Sequence, residues 1–310
     1  MRILVVGGGS TGGYFGGRLS RSGRDVTFLV RPARAEFLRK SGLVIRSAHG
    51  DLTLQPKLIT AGENTIPFDL VLLSVKSWSL PGAMDDFAPY LGQESMILPF
   101  LNGMRHMDTL RDRFGANSLI GGVCRVSTTL DADGAIRQLS PVHQLEYGEL
   151  NGEASPRLQK LHSAIQKPGF DAILSTSILR AMWEKWAMIA TMCGVTCLMR
   201  GNVGEIARAP KGKDFLLSVF DEVVGTISRV GTQPSAEFVA VWRKILTQTK
   251  TDLAPSMYRD LEAGNPIEKD AIIDDLIERG RLAGVPVPLL TLIATNLAVY
   301  EGKGLEEKKR

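Results

Sequence analysis

Lys185 lies on the apolar stripe of a helix. In and just before the stretch AMWEKWAMIATMCG (181–194), Ile178, Met182, Lys185 and Ile189 fall at i, i+4, i+7 and i+11, the spacing that gathers side chains on one helix face. A lysine so placed either buries its stem and lifts its ammonium to solvent, or holds the ammonium in a cleft between domains. In a cleft it can donate a hydrogen bond and a proton to an oxygen that gains negative charge during hydride transfer.

A second group of residues bears on where a hydride would come from. VVGGGSTGGYFGG carries Gly7-x-Gly9-x-x-Gly12, with Gly8, Ser10 and Thr11 between, directly after an apolar strand and at the start of a helix pattern. The glycines permit a tight turn, close backbone approach to a pyrophosphate and close helix-to-strand packing, and the helix N-terminus offers unpaired N–H groups to an anion. The bland alternative is a glycine-rich strand-to-helix turn. At the end of the second strand, where an NAD site places Asp or Glu, stands Arg31; a guanidinium there suits a 2′-phosphate, so NADP is preferred over NAD. Lys76 ends LVLLSVK and Asn102 ends MILPFLN, with Gly103 in a tight turn. Alone they read as a surface lysine and an ordinary turn. Together with the glycine loop and Arg31 they fall at the carboxyl ends of four strands, where open parallel sheets take ligands.

The elements that position these residues follow from patterning. RILVV, DVTFLV, FDLVLLSV and SMILPFL alternate with helices or turns, which predicts a Rossmann-type, doubly wound α/β sheet covered on both faces. GVCRVSTTL and AIRQLSPVHQLEYGEL flank the turn DADG, so the sheet is expected to end in an antiparallel hairpin, followed by a helix over 156–168 and a short strand near Asp171. From Ile178 the strand patterns stop, and helices are expected over 178–199, 214–230, 235–250 and 267–283, with a last one from Pro288. The boundary is placed near Ser175, giving a dinucleotide-binding domain (1–174) and an all-helical substrate and dimerisation domain (175–310).

Composition excludes several classes. The 310 residues are 44% hydrophobic and 23% charged, ordinary globular usage for about two domains. A net charge of +4 is too small to point to nucleic acid, and no basic stripe interleaves with stacking aromatics. The run RPARAEFLRK sets Arg31, Arg34, Arg39 and Lys40 against Glu36; such a run is a solvated face unless its position says otherwise. Cys124, Cys193 and Cys197 form no C-x-x-C pair and read as buried apolar residues, with neither disulfides nor metal expected. The apolar run Trp186–Met199 falls short of the roughly 20 residues of a membrane span. Met1 leads straight into a strand without a signal layout, which favours a cytoplasmic protein, and the closing EGKGLEEKKR is expected to fray.

Further on, SMYRDLEAGNPIEKDAIIDDL presents Ser256, which alone reads as a cap, and Glu268, which alone reads as a first-turn acid on a helix. With GGGSTGG, LLSVKSW, LNGM, WEKWA, SMYRD, IEKDAI and GVPVP in this order, the chain resembles the ketopantoate reductase (2-dehydropantoate 2-reductase) family of 6-phosphogluconate-dehydrogenase-like reductases. The resemblance implies NADPH-dependent reduction of a 2-keto acid to a 2-hydroxy acid, in that family the step giving pantoate for pantothenate and coenzyme A. It implies Lys185 as proton donor, Glu268 as an acid binding the substrate's polar groups beside the cofactor, Ser256 as a substrate-binding serine, Asn102 between nicotinamide and substrate, and Lys76 on the cofactor side. Where family members carry asparagines one and two turns after the lysine, this chain has Ile189 and Cys193, and Leu253 replaces another before the serine. Asn202 in RGNVGE matches a further one. Losing amide donors from a pocket bears directly on discrimination, so the readings are ketopantoate itself, a more apolar 2-keto acid or other carbonyl, or a non-catalytic NADPH-binding protein. Apolar stripes in the helical domain suggest a homodimer.

Overall fold

The computed structural model describes residues 1–307. Contacts divide them into two units, Met1–Leu101 with His106–Leu179, and Asn102–Arg105 with the chain from Arg180 onward. The first unit is built from β1 (Arg2–Val6), β2 (Asp25–Leu29), β3 (Leu43–Arg46), β4 (Leu52–Leu54), β5 (Lys57–Ile59), β6 (Phe68–Leu73), β7 (Leu91–Pro99), β8 (Gly121–Leu130), β9 (Ile136–Gly148) and β10 (Asp171–Leu174). Its helices are α1 (Ser10–Arg21), α2 (Pro32–Ser41), α3 (Leu80–Phe87), most of α4 (Arg105–Phe114) and α5 (Pro156–Ala164).

RILVV is apolar throughout after its first residue because β1 is covered on both faces, and Ile3, Leu4 and Val5 are fully buried. A parallel sheet runs in the order β5-β2-β1-β6-β7. Val6 lies opposite Leu29 on one side and Leu73 on the other, so strand order reverses at β1 and the carboxyl end of β1 is the switch point. The expected α/β class and doubly wound sheet are present.

The hairpin at DADG also forms, with β8 and β9 antiparallel and the Gly134 N–H donating to the Asp131 carbonyl at 2.8 Å. It does not end the parallel sheet, however. β9 joins β10, β3 and β4 in a second sheet, and α1 packs between the two. A Cβ on Gly16 would lie 2.7 Å from the Phe28 ring of the first sheet, and one on Gly17 2.8 Å from Ile45 of the second. The glycines of GGYFGG therefore serve this double packing as well as the loop. β3, β4 and β5 escape a reading by periodicity because each has only three or four residues and partial burial.

The second unit is helical: α6 (Ile178–Met199), α7 (Val203–Arg208), α8 (Gly212–Val230), α9 (Ala236–Leu246), α10 (Ser256–Glu262), α11 (Asp275–Leu282) and α12 (Pro288–Glu307). α7 and α10 are too short to stand out in the sequence, and α5 and α9 stop earlier than their patterns suggest. The expected 267–283 helix opens as a π-turn, Asp270–Asp274, before continuing as α11. Glu184, the other charge in the apolar stretch, is structural: its Oε1 accepts from both the backbone N–H and the hydroxyl of Ser235 at 2.8 Å, and Ser235 caps α9. Within EGKGLEEKKR, residues 301–307 continue α12. Buried Ile293 and Leu297 and the Tyr300 hydroxyl, which donates to the Asn265 carbonyl at 2.9 Å, anchor the helix up to Tyr300. Residues 308–310, the end of the stretch expected to fray, lie outside the described residues.

Candidate active site

At the carboxyl end of β1 the chain turns where only glycine fits. Gly7 has φ +101°, and a Cβ there would lie 2.2 Å from the Ser74 carbonyl oxygen; one on Gly12 would lie 2.2 Å from the Gly7 oxygen. Gly9 is the N-cap of α1 and faces open space, with nothing within 4 Å of its Cβ position. The N–H groups of the first helical turn, at Ser10, Thr11 and Gly12, lack intrahelical acceptors by construction, so this loop is a ready anion cradle.

Three cations line the neighbouring strand ends. Arg31, exposed at the N-cap of α2, donates from Nη2 to the Ser79 hydroxyl at 3.1 Å. Lys76, exposed after β6, sets its ammonium 5.6 Å from the centre of the exposed Trp78 ring. Arg34 donates from Nε to the Gly8 carbonyl at 3.0 Å. Its buried Nη2 has no hydrogen-bond partner among the described residues, and burial pushes its pKa below the ordinary arginine value. A glycine loop with open space at Gly9, flanked by exposed Arg31 and Lys76 and by Arg34 bonded to the Gly8 carbonyl, fits an anionic dinucleotide. Arg34 appears in the sequence only as one member of a basic run. Its one-turn spacing from Arg31 is the available signal, and its bond to Gly8 is visible only in three dimensions.

In the helical unit, three expected residues are tied to one irregular turn. Gly103, φ +76°, approaches the π-turn so closely that a Cβ would lie 2.1 Å from the Ala271 oxygen, which fixes its neighbour Asn102. The indole N–H of Trp186, next to Lys185, donates to the Ile272 carbonyl at 2.9 Å. Glu268, buried, directly precedes the helical segment, and its carbonyl accepts from the Ile272 N–H at 3.1 Å. Lys185 itself is half-buried. Arg279 stacks on Trp186 at 5.6 Å and pairs with buried Asp275, which also meets Arg105 at 3.4 Å. Single-turn π segments recur at functional sites, and here the Ile272 carbonyl accepts from Trp186 while the Ala271 carbonyl lies against Gly103.

The remaining residues belong to the same helical unit. Ser256 stands exposed at the start of α10, and Pro255 takes the N-cap, so a capping role is not realised. Ile189 and Cys193 are both buried on α6. Leu253 accepts from the Val203 N–H at 3.0 Å, and the Asn202 side chain caps α7 in a reciprocal box with Glu205, which commits its amide oxygen to the fold.

Comparison with known proteins decides the family. The ketopantoate reductase PanE/ApbA sequence model matches residues 3–152, and its C-terminal counterpart matches residues 177–301. The uncharacterized oxidoreductase YkpB of Bacillus subtilis is 37% identical over 303 residues, covering 98% of this chain and 100% of that protein. The chain belongs to the ketopantoate reductase family. A 2-dehydropantoate 2-reductase of Mesorhizobium japonicum is 27% identical, across 97% of this chain and 99% of the relative. The crystal structure of the 2-dehydropantoate 2-reductase from Geobacter metallireducens GS-15 superposes with a TM-score of 0.87 at 28% identity, covering 96% and 99% of the two chains. As a ketopantoate reductase family member the chain is an oxidoreductase acting on CH–OH groups with a nicotinamide dinucleotide. No helix of the described residues is long and apolar enough to cross a membrane.

Proposed function

We propose that this chain reduces the ketone of a 2-keto acid to a secondary alcohol at the expense of NADPH, with 2-dehydropantoate and its product pantoate as the first candidate pair. The observation that supports the reading is that Gly103 beside Asn102, Trp186 beside Lys185, and the segment that follows Glu268 all meet at one π-turn. When bound, the cofactor supplies the hydride to the keto carbon. Lys185 donates a hydrogen bond to the keto oxygen and, as the carbon–hydride bond forms, passes it a proton and recovers one from water. Glu268 binds the substrate's polar groups and borders the cofactor, with Asn102 and Ser256 completing the polar contacts. Gly7, Gly8, Gly9, Ser10, Thr11 and Gly12 cradle the pyrophosphate, Arg31 takes the 2′-phosphate and Lys76 lies along the cofactor. In this reading the sheet unit binds the dinucleotide and the helical unit the keto acid.

A second reading shares the chemistry and differs in substrate. Buried Ile189 and Cys193 supply a thiol and hydrocarbon where amides would address a hydroxyl, which favours a more apolar 2-keto acid. The two readings separate on a matched pair, 2-dehydropantoate and 3,3-dimethyl-2-oxobutanoate, which differ by one hydroxyl group. A site that hydrogen-bonds the hydroxyl should prefer the first in kcat/KM by roughly 1000-fold or more. A ratio near one assigns the apolar substrate class, and NADPH binding without turnover of either compound, or of a wider 2-keto acid panel, removes the reductase reading altogether.

A further inference from the structure

The residue after Glu268 is a lysine with very little exposed surface. The Lys269 side chain is 10% exposed, and its ammonium bonds the Asp274 carboxylate and lies 3.4 Å from Asp270 and 3.7 Å from Glu301 of α12. Burial disfavours the charged ammonium, yet the carboxylates of Asp274, Glu301 and Asp270 together outweigh it and hold the lysine pKa above its ordinary value.

The spacing of the main pair matters. Asp274 is five residues beyond Lys269, and the π-turn between them closes with i to i+5 hydrogen bonds, so the ion pair spans that turn along its length. A π-turn holds one residue more than the α-helical turn it replaces. Its collapse to α-helix would rotate everything on one side of it by about 100°, carrying the Ala271 and Ile272 carbonyls away from Gly103 and Trp186 and moving Glu268 with them. Glu301 adds a second tether, to α12.

We propose that Lys269, paired with Asp274 and Glu301, is a positioning residue that locks the π-turn and thereby fixes Glu268 and the Asn102 turn for substrate binding. The inference rests on the reading of Glu268 as a substrate-binding acid. The test compares Lys269→Met, Lys269→Arg, Glu301→Gln and Glu268→Gln in the full-length protein with NADPH and whichever compound of the matched pair turns over faster. Lys269→Met should raise KM for the keto acid roughly tenfold with kcat within about threefold, the pattern of lost ground-state binding through misplacement. Lys269→Arg should restore KM to within about threefold of wild type by keeping the charge, and Glu301→Gln should raise it by a smaller factor. A KM unmoved in Lys269→Met and Glu301→Gln while Glu268→Gln raises it overturns the inference and leaves the role of Glu268 standing. An unmoved KM in Glu268→Gln removes that role and the inference with it. If Lys269→Met does not fold, an unmoved KM in Glu301→Gln overturns it, as does a rise in Lys269→Arg equal to that in the methionine variant.

Discussion

Replacing Lys185 by alanine is expected to lower kcat by roughly 100-fold to 1000-fold, the usual loss on removing one transition-state donor, with the NADPH dissociation constant changed by less than about threefold. The lysine is half-buried and shares its helix turn with Trp186, whose indole is bonded to the Ile272 carbonyl. Truncating Lys185 leaves that anchor in place, so thermal unfolding should shift little and a fall in rate reports chemistry. Lys185→Arg sharpens the result. The guanidinium keeps positive charge but does not give up a proton near neutral pH, so a purely electrostatic role predicts substantial recovery, whereas proton donation predicts a rate closer to that of alanine. Steady-state turnover with saturating NADPH, alongside fluorescence titration of the cofactor, distinguishes the cases; a kcat equal to wild type in the alanine variant disposes of Lys185 as the acid.

Candidate chemistry is easier to read from this chain's motifs than the architecture that holds them. Lys185 was conspicuous because a charge on an apolar stripe demands a reason, and the glycine loop because its glycines fall between a strand and a helix. Neighbouring Glu184 shows the limit of such reading, since its partner Ser235 is 51 residues away. The second sheet stayed hidden because β3 and β4 are short and half-buried, while the hairpin it receives looked like an ordinary end to the parallel sheet. The π-turn left no trace in periodicity either: one added residue within a helix blurs the 3.6-residue pattern without breaking it. Yet that turn carries the contacts of Gly103 and Trp186, so the geometry around Asn102, Lys185 and Glu268 depends on an element that propensity does not mark. Arg34 is a similar case, legible as charge and illegible as a ligand for Gly8.

In the proposed NADPH site, cofactor choice is expected to turn on Arg31. Arg31→Ala is expected to weaken NADPH by about 10-fold to 100-fold, since charge-assisted hydrogen bonds contribute about 1.5–3 kcal/mol, and to change NADH by less than about threefold. The argument is one of position and charge. The guanidinium stands exposed just beyond the end of β2, and its bond to the neutral Ser79 hydroxyl at 3.1 Å is readily exchanged for a phosphate oxygen. A phosphate offers paired acceptors matched to the planar fork, whereas the NADH hydroxyl at the same place gives no comparable charge. Arg34 is expected to act differently, because its Nε is engaged with the Gly8 carbonyl, in the loop proposed to take the pyrophosphate common to both cofactors. Arg34→Ala should therefore weaken NADPH and NADH alike, and the two variants together separate recognition of the shared pyrophosphate from recognition of the extra phosphate. Ionic strength supplies an independent check: an exposed cation facing a phosphate is screened by salt, so wild-type NADPH affinity should fall with added salt more steeply than that of Arg31→Ala. Equal weakening of both cofactors in Arg31→Ala, with parallel salt dependence, would mean that Arg31 does not read the 2′-phosphate.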